Sequence, residues 1–360
     1  MTRASSMDVV NLAEFEERAR ECLPAATYHY FAGGAGDEIT LADNRAAFER
    51  IRIVPRVLRP GVRTTRTSVL GVQVDLPVLV APVAYQQAAH PEGELAIARG
   101  AAAAGTAICL SSLSNNSLED VAAVAPDAPR FFQLYPYRDR AMTEDVVHRA
   151  QASGYRALFV TVDVSVHGRR EREDRNSFAL PDDSTLPCVP VPADHTGPVS
   201  PHHVTSWMRP DLGWKDVEHF VGLTDMPVVL KGVLSAEDAA MAADVGVAGV
   251  VVSNHGGRQL DTAVATVDVA AEIADAVGDR MEVLMDGGVR RGTDVLKALA
   301  LGARAVLIGR PVVWALAAGG AEAVRQCLEL IGKETAIALA LCGCQAPGDA
   351  GRELLRRQPS

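Results

Sequence analysis

A (β/α)8 barrel is the fold the sequence predicts, and three observations predict it. Eight short apolar runs recur along the chain, each ending in a small or polar cluster. Ala-rich amphipathic stretches lie between them, several opening on Ser, Asp or Thr and closing at Gly, as capped helices do. No G-x-G-x-x-G turn follows the first run, although the rival doubly wound sheet usually carries one. Runs that are apolar on both faces read as buried parallel strands, and eight of them alternating with helices close a barrel.

In chain order, residues 1–75 come first and begin with a helix-like segment, NLAEFEERARECL, whose charges are unlike a secretory signal core. The runs follow: PVLVAP (77–82), AICLS (107–111), FFQL (131–134), ALFVTV (157–162), PVVLK (227–231), AGVVVS (248–253), EVLMD (282–286) and RAVLIG from 304. GELAIARGAAAAG, RAMTEDVVHRAQASG, SAEDAAMAADVG and GTDVLKALALG are among the helical stretches. Residues 167–211 separate the fourth run from its helix, with seven prolines within 181–210 and few large apolar side chains. Long loops in compact domains tend to be functional or mobile, and this one reads as a lid over the barrel mouth. The expected organisation is one domain over 1–360. It comprises the N-terminal helical segment 1–75, the barrel 76–335 with its loop 167–211, and a C-terminal tail 336–360.

The composition narrows the function. The chain of 360 residues is 48% hydrophobic and 22% charged, with a net charge of −10. That balance disfavours nucleic acid but leaves room for a local basic pocket that binds a small anion. No apolar run reaches transmembrane length, so no membrane partner is expected. Six scattered cysteines form no C-x-x-C pair. They read as reduced thiols of a cytoplasmic protein, and no metal is expected.

In a (β/α)8 barrel, chemistry belongs at the C-terminal strand ends. Those ends hold Pro82, Val83 and Ala84; Ser111; Gln133 and Tyr135; Thr161 and Asp163, then Arg169 and Arg170; Lys231; the run Ser253–Arg258; the run Asp286–Arg290; and Gly309 with Arg310. Such crowding by polar groups is foreign to a closed structural core. Gly287, Gly288 and Gly309 free backbone amides beside Arg290 and Arg310, a phosphate cradle where barrels favour phosphate. The bland alternative is strand-ending glycines with surface arginines. In SNHGGRQLD, His255 is a base flanked by glycine, and Arg258 offers a planar fork that suits a carboxylate. Base beside anchor suits chemistry at the carbon next to that carboxylate. Lys231 has two readings, stabiliser of an anionic cofactor or Schiff-base lysine as in barrel aldolases.

Together SNHGGRQLD, DGGVRRGTDVLKALALGARAVLIGRP, LPVLVAP, AHPEGE, LSS, FFQLY, TVD and HGRRE occur in an order that resembles the FMN-dependent 2-hydroxy acid oxidase and dehydrogenase family. Glycolate oxidase, lactate oxidase, mandelate dehydrogenase and hydroxymandelate oxidase belong to it. The resemblance runs from about Leu12 to about Cys344. It implies FMN as cofactor and oxidation of an (S)-2-hydroxy acid to the 2-oxo acid. His255 would be the base, oriented by Asp163. Arg258 and Tyr30 would hold the substrate carboxylate with help from Arg170, and Tyr135 would bond the hydroxyl or developing carbonyl. Lys231 would stabilise the reduced flavin, with Ser253 contacting the cofactor nearby. Gln133, Thr161, Ser111 and the Pro82–Ala84 backbone would contact the ring, and Asp286 the ribityl chain. Gly288, Arg290, Gly309 and Arg310 would take the phosphate. Homotetramers are common in the family, so a homo-oligomer is expected.

Departures from the family pattern bear on the substrate. Leu113 stands where glycolate oxidases carry tryptophan, and His167 where an apolar residue is common. Val164-Ser165 follows TVD in place of Thr-Pro, and PVAYQQ matches hydroxymandelate-type members. These suggest a substrate side chain larger than methyl, against a bland reading of drift at the rim. The polar 167–211 loop, unlike the apolar segment of membrane-associated relatives, favours dioxygen as acceptor and hydrogen peroxide as product. A dehydrogenase with another acceptor is the first alternative. A non-redox phosphate-binding isomerase or aldolase is the second, and a flavoprotein without turnover the third.

Overall fold

The computed structural model describes residues 8–181, 184–189, 191, 195 and 199–357. The remaining parts of the predicted loop and end segments lie outside the described residues. Eight parallel strands close a barrel: β1 (Val78–Val80), β2 (Ile108–Ser111), β3 (Arg130–Leu134), β4 (Leu158–Thr161), β5 (Val228–Val233), β6 (Gly249–Val252), β7 (Glu282–Met285) and β8 (Ala305–Ile308). They pair in sequence order, and β8 returns to β1 through Val306–Val78, Leu307–Leu79 and Ile308–Val80. All eight coincide with the apolar runs, because each strand is covered by helices outside and by the core inside.

The period of two along a strand sorts the two faces. Val80, Leu110, Phe132, Val160, Leu230, Val252 and Ile308 point outward into the layer of helices. Leu79, Cys109, Phe131, Phe159, Val229, Val251 and Leu284 fill the interior. Two residues further along several strands the buried interior position is polar: Ser111, Gln133, Thr161, Lys231, Ser253 and Asp286. Strand geometry alone therefore stacks the chemistry on one rim, above an apolar plug. A hairpin, Thr67–Val69 with Val72–Val74, stops the other end, with Val69 and Val74 buried against the interior cluster.

Local sequence sets the helices. Ser117, Asp139 and Ser235 cap the helices Leu118–Val124, Arg140–Ala152 and Ala236–Asp244 by accepting from Asp120, Met142 and Asp238 backbone N–H groups. The first segment holds three helices, Leu12–Cys22, Ala25–Ala32 and Ile39–Glu49. Ile51–Ile53 pairs antiparallel with Leu355–Arg357, tying the segment before the barrel to the one after it.

Two features differ from the sequence reading. The segment read as a loop contains the helices Glu171–Asn176 and Pro201–Trp207. The second starts at Ser200, which accepts from His203 N–H, with Pro201 pre-set at the first helical position, a start signal hidden among the prolines. The helix Arg310–Leu341 runs through the 335/336 division and bends at Gly319–Gly320, where Gly320 has φ 61°. No helix among the described residues is long and apolar enough to cross a membrane.

Candidate active site

The rim opens into a cleft of about 160 Å³. Pro82, Val83, Ala84, Thr161, Lys231, Asp286, Gly288, Arg290, Gly309 and Arg310 line it, together with Tyr30, Leu113, Tyr135, His167, Arg170, His255 and Arg258. Ser111, Gln133, Ser253 and Asp163 stand behind that lining. Ser111 Oγ donates to Gln133 Oε1 at 3.0 Å, and Gln133 Nε2 to Thr161 Oγ1 at 2.9 Å. The sequence-predicted residues are thus brought to one place.

The turn after β6 presents His255. Its φ is 57°, and Gly256 and Gly257 follow at 64° and 74°. Such consecutive left-handed residues are costly for a side-chain-bearing residue and persist where the surroundings hold them. A Cβ at Gly257 would come within 2.7 Å of the Leu41 backbone, so only glycine passes there. His255 Nδ1 lies 3.0 Å from Asp163 Oδ1, and Nε2 lies 3.4 Å from Tyr135 Oη. The carboxylate holds the proton on Nδ1 and leaves the Nε2 lone pair toward the cleft. Burial lowers the His255 pKa below the ordinary 6.5, although Asp163 opposes it. Burial alone would raise Asp163, but His255 and Lys231 outweigh it and hold the carboxylate ionised. Gly232, at φ 114°, makes room, since a Cβ there would meet Asp163 at 2.6 Å.

Lys231 Nζ is 3.0 Å from Asp286 Oδ2 and donates to Ser253 Oγ at 3.0 Å. Burial would strip its proton, but Asp286 and then Asp163 outweigh that and keep it above its ordinary value. A charged, ion-paired amine is not a Schiff-base nucleophile, so the aldolase reading of this lysine loses its support.

At the far end, Arg310 donates to the carbonyls of Phe31, Gly256 and Gly33 at 2.8–2.9 Å, and Arg290 to that of Val289 at 2.9 Å. Neither makes an ion pair among the described residues. Burial, with repulsion from other arginines, lowers Arg290 to about 10 and Arg310 to about 9. Two half-buried guanidiniums without a carboxylate call for an anion. Asp286 Oδ1 is buried with no hydrogen-bond partner, an acceptor ready for a hydroxyl. A phosphate, a polyhydroxy chain and a flat ring against the Pro82–Ala84 backbone suit these three parts, so the residues present fit FMN.

On the substrate side, Arg258 Nη1 donates to the carbonyls of Tyr30 (2.7 Å) and Gly33 (2.9 Å), and its guanidinium lies over the Tyr30 ring at 5.0 Å. Arg170 Nε donates to the Arg258 carbonyl at 3.1 Å and Nη2 to Gln259 Oε1 at 3.1 Å. Gln259 Nε2 returns to the Asp163 carbonyl at 2.9 Å, stitching the β4 loop to the β6 turn. Sequence reasoning missed Gln259, although it stands inside SNHGGRQLD, and it missed Glu173. His167, Glu173 and His202 bring three acceptor atoms within 4.8 Å of one another, a geometry a cation could use, but Arg170 and Arg258 already face that carboxylate.

The closed barrel and its anion-hungry rim define a class, the (β/α)8 enzymes that carry a phosphate-tailed cofactor at their strand ends. Comparison with known proteins narrows the class. The chain belongs to the FMN-dependent dehydrogenase family, whose model matches residues 19–357. It is 47% identical to the L-lactate oxidase of Nostoc sp. over 99% of this chain and 100% of that one. It is 48% identical to the 4-hydroxymandelate oxidase of Amycolatopsis orientalis over 96% and 98%. A solved structure of mandelate oxidase with benzoyl-formic acid superposes with a TM-score of 0.89 at 47% identity, covering 97% of this chain and 98% of that one. The chain is an FMN-dependent oxidoreductase acting on CH–OH donors, as its motifs led one to expect.

Proposed function

We propose that the enzyme oxidises an (S)-2-hydroxy acid whose side chain is larger than methyl to the 2-oxo acid, with dioxygen as electron acceptor and hydrogen peroxide as second product. One observation carries the reading: His255 Nε2, turned away from Asp163 and 3.4 Å from Tyr135 Oη, belongs to the same cleft as the Arg258 and Arg170 guanidiniums and the proposed FMN cradle. Bound FMN supplies the two-electron sink. Arg258, assisted by Arg170 and Tyr30, binds the carboxylate, His255 Nε2 takes a proton, and Asp163 stabilises the imidazolium that results. Tyr135 Oη, kept protonated by burial, bonds the reacting oxygen. Lys231 would offer the flavin a fixed positive charge, steadied by Ser253, and the hydrogen-bonded row Ser111, Gln133 and Thr161 would help to hold the cofactor.

The experiment is direct. The purified enzyme is expected to be yellow, with visible absorption near ~450 nm from its cofactor, and to be bleached anaerobically by a 2-hydroxy acid. Air then restores the colour with stoichiometric peroxide. A flavin that no 2-hydroxy acid bleaches overturns the reading, and bleaching that air does not reverse replaces dioxygen by another acceptor.

The side-chain pocket supports a larger substrate. Leu113 and His167 line it, and solved mandelate oxidases hold (S)-mandelic acid and benzoyl-formic acid, a phenyl-bearing 2-hydroxy acid and its 2-oxo counterpart. Leu113→Trp is expected to lower kcat/KM for mandelate by about tenfold or more, roughly the effect of crowding a pocket by a ring, while lactate turnover is kept. An unchanged mandelate-to-lactate ratio in steady-state assays contradicts the pocket assignment.

The pH dependence has a definite sign. The base must be neutral to act, and the His255 pKa is lowered, so the base form persists to lower pH than for an ordinary histidine. The acid limb of flavin reduction, followed by stopped flow against pH, is expected below pH 6.5. A rate that climbs only above neutrality contradicts it.

The chain acts as a single catalytic domain over 1–360, cytoplasmic and homotetrameric. Val57, Leu58, Val62, Ile337 and Leu341 are exposed apolar side chains, and association between copies is one way to cover them.

A further inference from the structure

Glu173 stands behind the two guanidiniums rather than in the cleft. Its side chain is 6% exposed, and Oε2 lies 3.4 Å from Arg170 Nη1 and 3.9 Å from Arg258 Nη2. Its other oxygen, Oε1, faces His167 Nε2 at 3.9 Å. The remaining charges of the cleft are engaged elsewhere. Lys231 faces Asp286, His255 faces Asp163, and Arg290 and Arg310 form the phosphate cradle. His167 adds no charge, because burial and the nearby arginines hold its ring down to about 3. The hydroxyl of Tyr30 stays protonated, pushed up to about 12 by burial. The region that would receive the substrate therefore carries two guanidiniums and one carboxylate, a net charge of one.

We propose that Glu173 sets the charge class of the substrate: by cancelling one of the two guanidinium charges, it fits the cleft to 2-hydroxy acids with a single carboxylate and excludes those whose side chain bears a second. The inference rests on the reading of Arg258 and Arg170 as the carboxylate anchors. One substrate carboxylate completes the neutral set of two cations and two anions. A second must leave water with no uncompensated cation to receive it, and burying an unpaired charge is among the costliest events in a protein interior. Glu173 acts through the arginines and is a positioning residue.

The test reads charge selectivity by anaerobic flavin reduction, with (S)-mandelate as reference. The probes are (S)-malate and its side-chain half-amide, which share a skeleton and differ by one negative charge. The unaltered holoenzyme is expected to favour the half-amide in kcat/KM by about tenfold or more, on the scale of one partly screened charge. In Glu173→Gln the malate-to-half-amide ratio rises by a similar factor, and in Glu173→Asp it stays near the original. A loss of stability or of FMN lowers both substrates together and leaves the ratio unmoved. Equal efficiencies for the two probes in the unaltered enzyme, or an unmoved ratio in a Glu173→Gln protein that retains its flavin, overturn the proposal. Should Glu173→Gln fail to fold, the comparison in the unaltered enzyme decides. Bleaching by mandelate with no charge discrimination defeats this inference alone, whereas no bleaching by any 2-hydroxy acid defeats the parent reading as well.

Discussion

His255→Gln is expected to keep its FMN and to lower the rate of flavin reduction by about 10²–10⁴-fold, the range that a positioned general base supplies. Glutamine can still bond Asp163, so the turn keeps a partner for the carboxylate, but its amide has no lone pair basic enough to take the proton. The cofactor is expected to stay because the proposed phosphate cradle is Arg290 and Arg310, neither of which is bonded to the His255 side chain. Stopped-flow reduction under anaerobic conditions separates the two effects, since absorbance reports occupancy and the decay reports chemistry. Bleaching within tenfold of the unaltered enzyme would remove His255 from the role of base.

Arg258→Met is the second large effect. Methionine preserves the length of the side chain but loses the charge and the planar fork. A charge-assisted anchor of this kind is worth roughly 2–4 kcal/mol in the transition state, so kcat/KM falls by about 30- to 1000-fold. Part of that loss comes from the carbonyls of Tyr30 and Gly33, which give up a donor. FMN content is expected to hold. Unchanged efficiency with mandelate, measured by initial rates, would show that the carboxylate docks elsewhere.

The fold was legible because parallel strands are buried on both faces. PVLVAP and ALFVTV are conspicuous as unbroken apolar runs, whereas the hairpin in TSVLGVQV, which stops the barrel floor, looks like an ordinary surface turn. The site was legible where a strand end carries its chemistry within a few residues, as in SNHGGRQLD and DGGVRR. Glu173 was not, because in RREREDR an acid among bases resembles a solvated helix face. Only the packing of Glu171–Asn176 against Ala25–Ala32 turns that face inward. The helix Pro201–Trp207 was hidden for a related reason, since the prolines that precede it outweigh one serine cap.

Ring closure has a consequence for biosynthesis. The seam between β1 and β8 joins Val78 to Val306, and Ile51 meets Arg357 outside it. A nascent polypeptide still lacking Ala305 leaves β1 with an unpaired edge and the rim without Arg310. Until β8 is made and closes the ring, that open edge is exposed to misassembly and to chaperones.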